Sequence, residues 1–571
     1  MEQRGLLKPF VVEHWGKLLV TGLAGILSSM LAILLPITIG KFYELMFGTG
    51  GGRSMLLAFL PDSIFGSIPL FLGMFAGLIL LHMIVSYARR YLVASTGELL
   101  TYELRNRLFA HQLKLHTRIY EEKGVGKYLL RYSGDLKSIQ NYLTKGIIGF
   151  TVDLVMVGLF LLVLASISSS LMLISLVGMI LMLIPLTGLN RRLHDTSTRR
   201  RNQKSSLLSF VSQRLQSIIT IKAFNRETPE RDRYLKRSSR TLATDLAFHR
   251  ISSLIHVLVP GMLYTMIAVM MMAIYWQKQH GTMVEETSLL TAFLLIITML
   301  PVLRRCLRVT VTWKLGMISL KKLQHVMELP TETESLDDLY LSEGQIRLEQ
   351  VCIHFSDQSY LGPLTTTWNP QSIHLVKGGT GSGKSTLVKT LLGIHDQFHG
   401  KILLDDQDIR EVAIKSLRKQ VTIISHEYPL LGRSVFEAIS YSRKPGKRKG
   451  AELMLQNVQK GLPAAVHLQL DDPIGRHGGT LSKGQELVLL VTRALLTRKP
   501  VLLLDEPFQS IEPEFEAHLI RLIHRLRKKR NIILFVKHHE VPAIEFDSVT
   551  ELNGQVSDEE AVVRSLDQKA S

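Results

Sequence analysis

"IHLVKGGTGSGKSTLVKTLLG" (residues 373–393) is the stretch on which the reading of this sequence turns. A short β-type apolar run leads into the pattern G-x4-G-K-[ST], and an amphipathic helical pattern follows. Across Gly378, Gly379, Thr380, Gly381, Ser382 and Gly383, small residues let backbone N–H groups converge on phosphate oxygens. The helix that opens next adds the positive end of its dipole. Lys384 is expected to reach the β and γ phosphates of ATP, and Ser385 to bind Mg²⁺. Thr386, next on the helix, joins the nucleotide-binding set.

About 120 residues later comes "PVLLLDEPF" (500–508). Its apolar run predicts a buried strand that delivers two carboxylates at its end. Asp505 is placed to hold Mg²⁺ and Glu506 to polarise an attacking water. Alone this pattern is weak, because buried strands often end in acids. Downstream of a phosphate loop it predicts ATP hydrolysis.

Before residue 305 the composition changes. Apolar blocks near 18–40, 68–88, 146–166, 169–188, 254–276 and 288–306 are each of a length to span a bilayer as a helix. The first block is too long for a signal-peptide core, so it is read as an anchor that stays. Pro36, Pro185, Pro260 and Pro301 fall within or near these blocks, where kinks are tolerated. Lys and Arg are unevenly placed: eleven in 89–145 and fifteen in 189–252, but three in 41–67 and 277–287 together. The positive-inside rule therefore puts both long connections, the N-terminus and the C-terminal half in the cytoplasm.

The formal net charge of +19 invites a nucleic-acid reading. The basic residues cluster between apolar blocks, however, which fits loops facing an anionic leaflet. No nucleic-acid partner is expected. Cys306 and Cys352 form no disulfide framework or metal spacing and read as packing residues. Two readings of Asp153, in the third block, stay open. An intramembrane carboxylate is costly and points to function, or it sits near a helix end and pairs with water or Lys145. His82 reads as a packed, hydrogen-bonded histidine. The run "MIAVMMMAIYW" (266–276) reads as lipid-facing or core packing.

With these pieces in place the chain resembles an ATP-binding cassette (ABC) transporter of the exporter type: six spans followed by one nucleotide-binding domain. The implied fold is an α-helical polytopic membrane domain followed by an α/β P-loop NTPase domain of the ABC type. The boundaries are 1–328 for the membrane domain, whose helices are expected to continue well into the cytoplasm through both long connections, 329–344 for a linker, 345–556 for the nucleotide-binding domain and 557–571 for a polar tail. "GKYLLRYSGDLKSIQNYL" (126–143) and "IITIKAFNRETPERDRY" (218–234) resemble the family's cytoplasmic stretches before the third and fifth spans. By the same resemblance Phe355 stacks on adenine, and His538 in "FVKHHEV" (535–541) is the switch histidine at the γ phosphate. His426 stands where the family has the glutamine of the glutamine loop, and Glu512 where it has the D-loop aspartate. In "GGTLSKGQELVLLVTRALL" (478–496), Ser482, Gly484 and Gln485 match the signature that closes over a partner's ATP. Lys483 stands where the family has glycine. Either it adds a positive charge near the anion and tunes the clamp, or it points to solvent.

One nucleotide-binding domain per chain implies a dimer with a second half-transporter, and the retained Lys384, Glu506 and His538 favour a homodimer. The expected function is ATP-driven export of a lipid, peptide or amphiphilic small molecule across a cytoplasmic or inner membrane. The alternatives are an exporter-fold importer of a siderophore-like compound and the ATPase of a peptide or protein secretion system.

Overall fold

The computed structural model describes residues 5–47, 67–123, 128–129, 131–279, 286–332, 337–356, 359–379, 381–442, 444–475, 478–508, 511–536, 544–552 and 554–556. The chain divides into two compact units. One comprises Met1–Lys114 and Lys123–Leu329, the other Leu115–Glu122 and Pro330–Ser571.

The first unit is helical. After a short α1 (Lys8–Glu13) come α2 (Trp15–Phe47) and α3 (Ile68–Gln112), and then α4 (Thr117–Lys123), whose residues up to Glu122 belong to the second unit. The chain returns through a π-helical turn (Arg131–Asp135), α5 (Leu136–Asn141) and a second π-helical stretch (Tyr142–Gly149) into α6 (Phe150–Ile167). The remaining helices are α7 (Ser169–Gln216), α8 (Ile218–Ala223), α9 (Glu227–Gln279) and α10 (Glu286–Met327). Among the described residues, six helices are long and apolar enough to cross a membrane.

Several outlast any bilayer. The 53 residues of α9 extend about 80 Å at 1.5 Å per residue. Hydropathy marks where the apolar run stops, but the polar residues beyond it keep helical propensity, so the helix continues. Pro36, Pro185, Pro260 and Pro301 all lie inside helices.

Lipid offers no hydrophobic drive for helix pairing, so close packing must hold the bundle. Gly25 supplies it on α2, where a Cβ would collide with Val152 of α6. Gly316 does so on α10 against Tyr142. The buried centre is built from Phe160, Leu164, Leu171, Met270, Ile296 and Met299. Met270 is buried while Met271 and Met272 are exposed, so one methionine run serves both packing and the outer surface. Asp135 anchors the polar end. Its buried carboxylate accepts from Arg131 at 2.6 Å, Arg201 at 2.7 Å and Ser319 at 2.8 Å, tying α7 and α10 to the turn before the third span.

The second unit is α/β. Strands β1 (Ile346–Ser356), β2 (Ser359–Trp368), β4 (Phe398–Leu404), β5 (Gln407–Asp408) and β10 (Gly554–Val556) form an antiparallel sheet in the order β10-β2-β1-β4-β5. A parallel sheet has the order β6-β7-β8-β3-β9. Its strands are β3 (Ile373–Gly378), β6 (Val421–Ile424), β7 (Val501–Asp505), β8 (Asn531–Val536) and β9 (Ser548–Leu552). Every residue of β7 is buried, as a strand covered on both faces must be.

The unit's helices are α11 (Lys384–Leu391), α12 (Ile414–Gln420), α13 (Val435–Ser440), α14 (Arg448–Gln459), α15 (Lys483–Leu496) and α16 (Pro513–Arg527). The stretch Leu115–Glu122 belongs here too. Leu115 bridges to Thr331, and Lys389 donates to Glu121 at 2.9 Å.

Candidate functional site: a nucleotide edge

Parallel pairing of β6, β7, β8 and β3 sends their carboxyl ends to one edge of the sheet. Open α/β sheets bind ligands at such an edge. The phosphate loop leaves the end of β3. Asp505 closes β7 and Glu506 follows it, and Ser425, His426 and Glu427 follow β6. The chain after β8 leads toward His538, which lies outside the described residues, as does Thr380. Phe355 falls on β1, and its side chain is likewise outside them.

The loop's geometry follows from its glycines. Gly381 has φ +82° and Gly383 +90°, a region costly for residues with a Cβ. Gly383 is the N-cap of α11, so the turn aims the helix's free N–H groups into the loop. A Cβ on Gly378 would collide with the Ser382 hydroxyl, while Gly379 faces open space. Lys384 is buried, and its ammonium donates to Gly378 O at 2.7 Å, Gly379 O at 2.8 Å and Ser382 Oγ at 3.4 Å. Ser385, on the first turn, is exposed, and Thr386 is partly so.

Asp505 is buried, and Ser425 Oγ donates to its Oδ2 at 3.4 Å. Burial, together with the Glu427 and Glu506 carboxylates, pushes its pKa up to about 6, against the pull of Ser425 and Lys384. Crowded carboxylates of this kind are relieved by a hard cation with oxygen ligands. The donor set therefore fits a cation such as Mg²⁺. Glu506 holds φ +46°, and its N–H donates to Phe535 O at 3.0 Å, which locks the turn after β7. A non-glycine residue in that region signals a position fixed by its surroundings, as active sites require.

The signature stretch opens α15 with a complete capping box. Gln485 N–H donates to Ser482 Oγ at 3.2 Å, and Ser482 N–H donates to Gln485 Oε1 at 3.0 Å. Gly484 lets Val466 approach, since a Cβ there would lie 2.9 Å from it. Lys483 follows neither of its two sequence readings cleanly. It is 64% exposed, yet its ammonium reaches Glu486 Oε2 at 3.1 Å. The same oxygen accepts from His426 Nδ1 at 3.2 Å. The substituted positions of the glutamine loop and the signature thus meet on one carboxylate. His426 Nε2 is buried and has no hydrogen-bond partner among the described residues.

Glu486, Glu427 and Tyr428 were not singled out from sequence. Glu427 had a signal, a carboxylate three residues after a short β-type run. Tyr428 is pushed up to about 12 by burial and by Glu427, Asp505 and Glu121. Glu512 is the N-cap of α16 but makes no side-chain cap.

An exposed i,i+3 ion pair is worth at most about 1 kcal/mol, a factor of about five. Lys483→Gly should therefore change the KM for ATP and the turnover by less than about fivefold. Glu486→Ala, which releases His426 as well, should change both by more. Steady-state ATPase kinetics in lipid decide it, and equal effects would break the link between the loop and the signature.

Against known families, residues 18–301 match the ABC transporter transmembrane region and residues 361–509 the ABC transporter family. The chain belongs to the ABC transporters. Curated relatives of this ABC transporter include an ATP-dependent lipid A-core flippase of Nitrosococcus oceani, 25% identical over 78% of this chain and 74% of that one. A protein of the same description from Yersinia pestis is 23% identical over 94% and 91%. Among solved structures, a bacterial Atm1-family ABC exporter with ATP bound superimposes with a TM-score of 0.80 at 18% identity. That match covers 98% of this chain and 99% of the other, and it establishes the exporter fold. This ABC transporter is an integral membrane protein that binds ATP, couples ATP hydrolysis to transport and works as a dimer.

Proposed function

We propose that the protein is a homodimeric exporter of a lipid-like amphiphile, with residues 1–328 as its membrane part and 345–556 as its ATPase. The cytoplasmic or inner membrane is its site, with both termini in the cytoplasm, as the Lys/Arg bias favours. The observation that carries the reading is the delivery of phosphate loop, paired carboxylates and His426 to one sheet edge, in a chain that also holds six long apolar helices. The lipid A-core flippases among its relatives support a lipid-like cargo.

In this reading the loop N–H groups from Gly378 to Gly383 and the Lys384 ammonium grip the β and γ phosphates, with Thr386 alongside. Phe355 stacks on adenine. Ser385 and Asp505 hold Mg²⁺, which neutralises phosphate charge when bound. Glu506 takes a proton from the attacking water, His538 contacts the γ phosphate, and His426 hydrogen-bonds near that water. Ser482, Gly484 and Gln485 close over the ATP of the partner subunit, and that closure drives the change of access in the membrane part.

The test is reconstitution into liposomes with fluorescent lipids, peptides and amphiphilic dyes. ATP-dependent movement of a lipid probe from the leaflet on the ATPase side to the opposite one is expected. ATP hydrolysis with movement in the reverse direction, or with no movement of any probe, would overturn the reading.

A further inference from the structure

The first unit contains a cavity of about 800 Å³ lined by α3, α5, α6, α9 and α10 and the π-helical stretch before α6. Seven Lys or Arg side chains line it, against two carboxylates, Glu98 and Asp153. Lys137 and Gln140 face Glu98, at 3.9 Å and 2.9 Å. Asp153, buried, is gripped by Arg305: Nε donates to both carboxylate oxygens at 3.0 Å and Nη2 to one at 2.6 Å. Both carboxylates are therefore occupied.

Arg89, Arg90, Lys145 and Arg304 form no ion pair with a carboxylate among the described residues, and Arg308 donates to the His256 ring. The Nε atoms of Arg89 and Arg304 are buried, with no hydrogen-bond partner among the described residues. Ile255, Val259 and Val309 form an apolar part of the same wall.

Cations crowded in a low-dielectric wall repel one another, and unpartnered buried donors are costly. A multiply charged anion relieves both penalties, and guanidinium forks match phosphate oxygens in pairs. The apolar wall suits a hydrocarbon tail.

We propose that this cavity takes the phosphate group of an anionic amphiphile, and that Asp153 is a built-in stand-in for that group, displaced from Arg305 when the cargo arrives. The proposal rests on the exporter reading and narrows its cargo. It makes the Asp153 carboxylate a competitor of the ligand. Removing its charge should therefore tighten binding, whereas removing a free guanidinium should weaken it.

The test uses full-length protein in phosphatidylcholine nanodiscs, in a Lys384→Ala background so that the phosphate loop does not report. Dioctanoyl phosphatidic acid is titrated by calorimetry beside dioctanoylglycerol, which lacks the phosphate, and inorganic phosphate, which lacks the tail. Phosphatidic acid should bind about tenfold more tightly than either, the scale of a charge-assisted hydrogen bond. Arg304→Gln should weaken it severalfold and Asp153→Asn should tighten it.

Unchanged or weaker binding by folded Asp153→Asn overturns the stand-in role. Unchanged binding by Arg304→Gln overturns the site, and that variant decides alone if Asp153→Asn does not fold. Inorganic phosphate binding as tightly as phosphatidic acid would overturn the amphiphile and leave a soluble anion. If this pattern appears while ATP-dependent lipid movement is absent, the exporter reading fails and the anion site stands.

Discussion

Glu506→Gln is expected to lower ATP turnover by about a thousandfold while ATP stays bound, the range a positioned general base contributes. The amide keeps the shape of the side chain and cannot take a proton. It also removes one of the two carboxylates that raise the Asp505 pKa, which favours the ionised, cation-binding form of Asp505. Nucleotide affinity should hold or rise. The backbone that sets Glu506 in place does not depend on its side chain, since its N–H donates to Phe535 O. Steady-state hydrolysis and nucleotide retained after gel filtration, both in lipid, check the two halves. Turnover within about tenfold of wild type would remove Glu506 from the role of base.

Lys384→Ala should weaken ATP binding by at least about a hundredfold, because two charge-assisted hydrogen bonds of about 1.5–3 kcal/mol each are lost. The ammonium is held over the loop by Gly378 O and Gly379 O, so its position is fixed by the turn itself. Lys384→Arg should not restore binding. A planar fork does not fit between two carbonyls placed for a compact ammonium. Calorimetric titration with a non-hydrolysable ATP analogue measures both variants. Rescue by arginine would show that charge alone, rather than the loop's geometry, sets affinity.

The parts of the site legible in the sequence are those encoded contiguously. The strand, loop and helix at 373–393 and the strand at 501–505 lie where their patterns place them. The exporter fold followed from six apolar blocks and the order of motifs. Contacts between distant segments were not legible. The sequence pairs Asp153 with water or Lys145 near a helix end, yet the carboxylate binds Arg305, 152 residues away, because α6 and α10 pack together. The meeting of His426 and Lys483 on Glu486 depends on where the chain after β6 passes the start of α15, which no local pattern encodes. The two π-helical stretches before α6 carry no sequence signature of their own, so the third span could be placed but not its entry. The extension of the helices beyond the apolar blocks was legible, because the polar connections keep a helical pattern, and Ile68–Gln112, Ser169–Gln216 and Glu227–Gln279 run on as single helices.

The capping box at Ser482 has a consequence for recognition. A hydroxyl has one hydrogen to give and two lone pairs to receive with. The cap takes one lone pair, for Gln485 N–H, and among the described residues Ser482 Oγ donates to nothing. The helix start therefore fixes the oxygen and leaves its hydrogen free to turn toward an acceptor. An incoming phosphate oxygen would accept that hydrogen without breaking the cap, so docking and helix stability would not compete for the same atom. Alanine would forfeit both. Aspartate, also a good cap, would keep the helix and turn the recognition contact into repulsion.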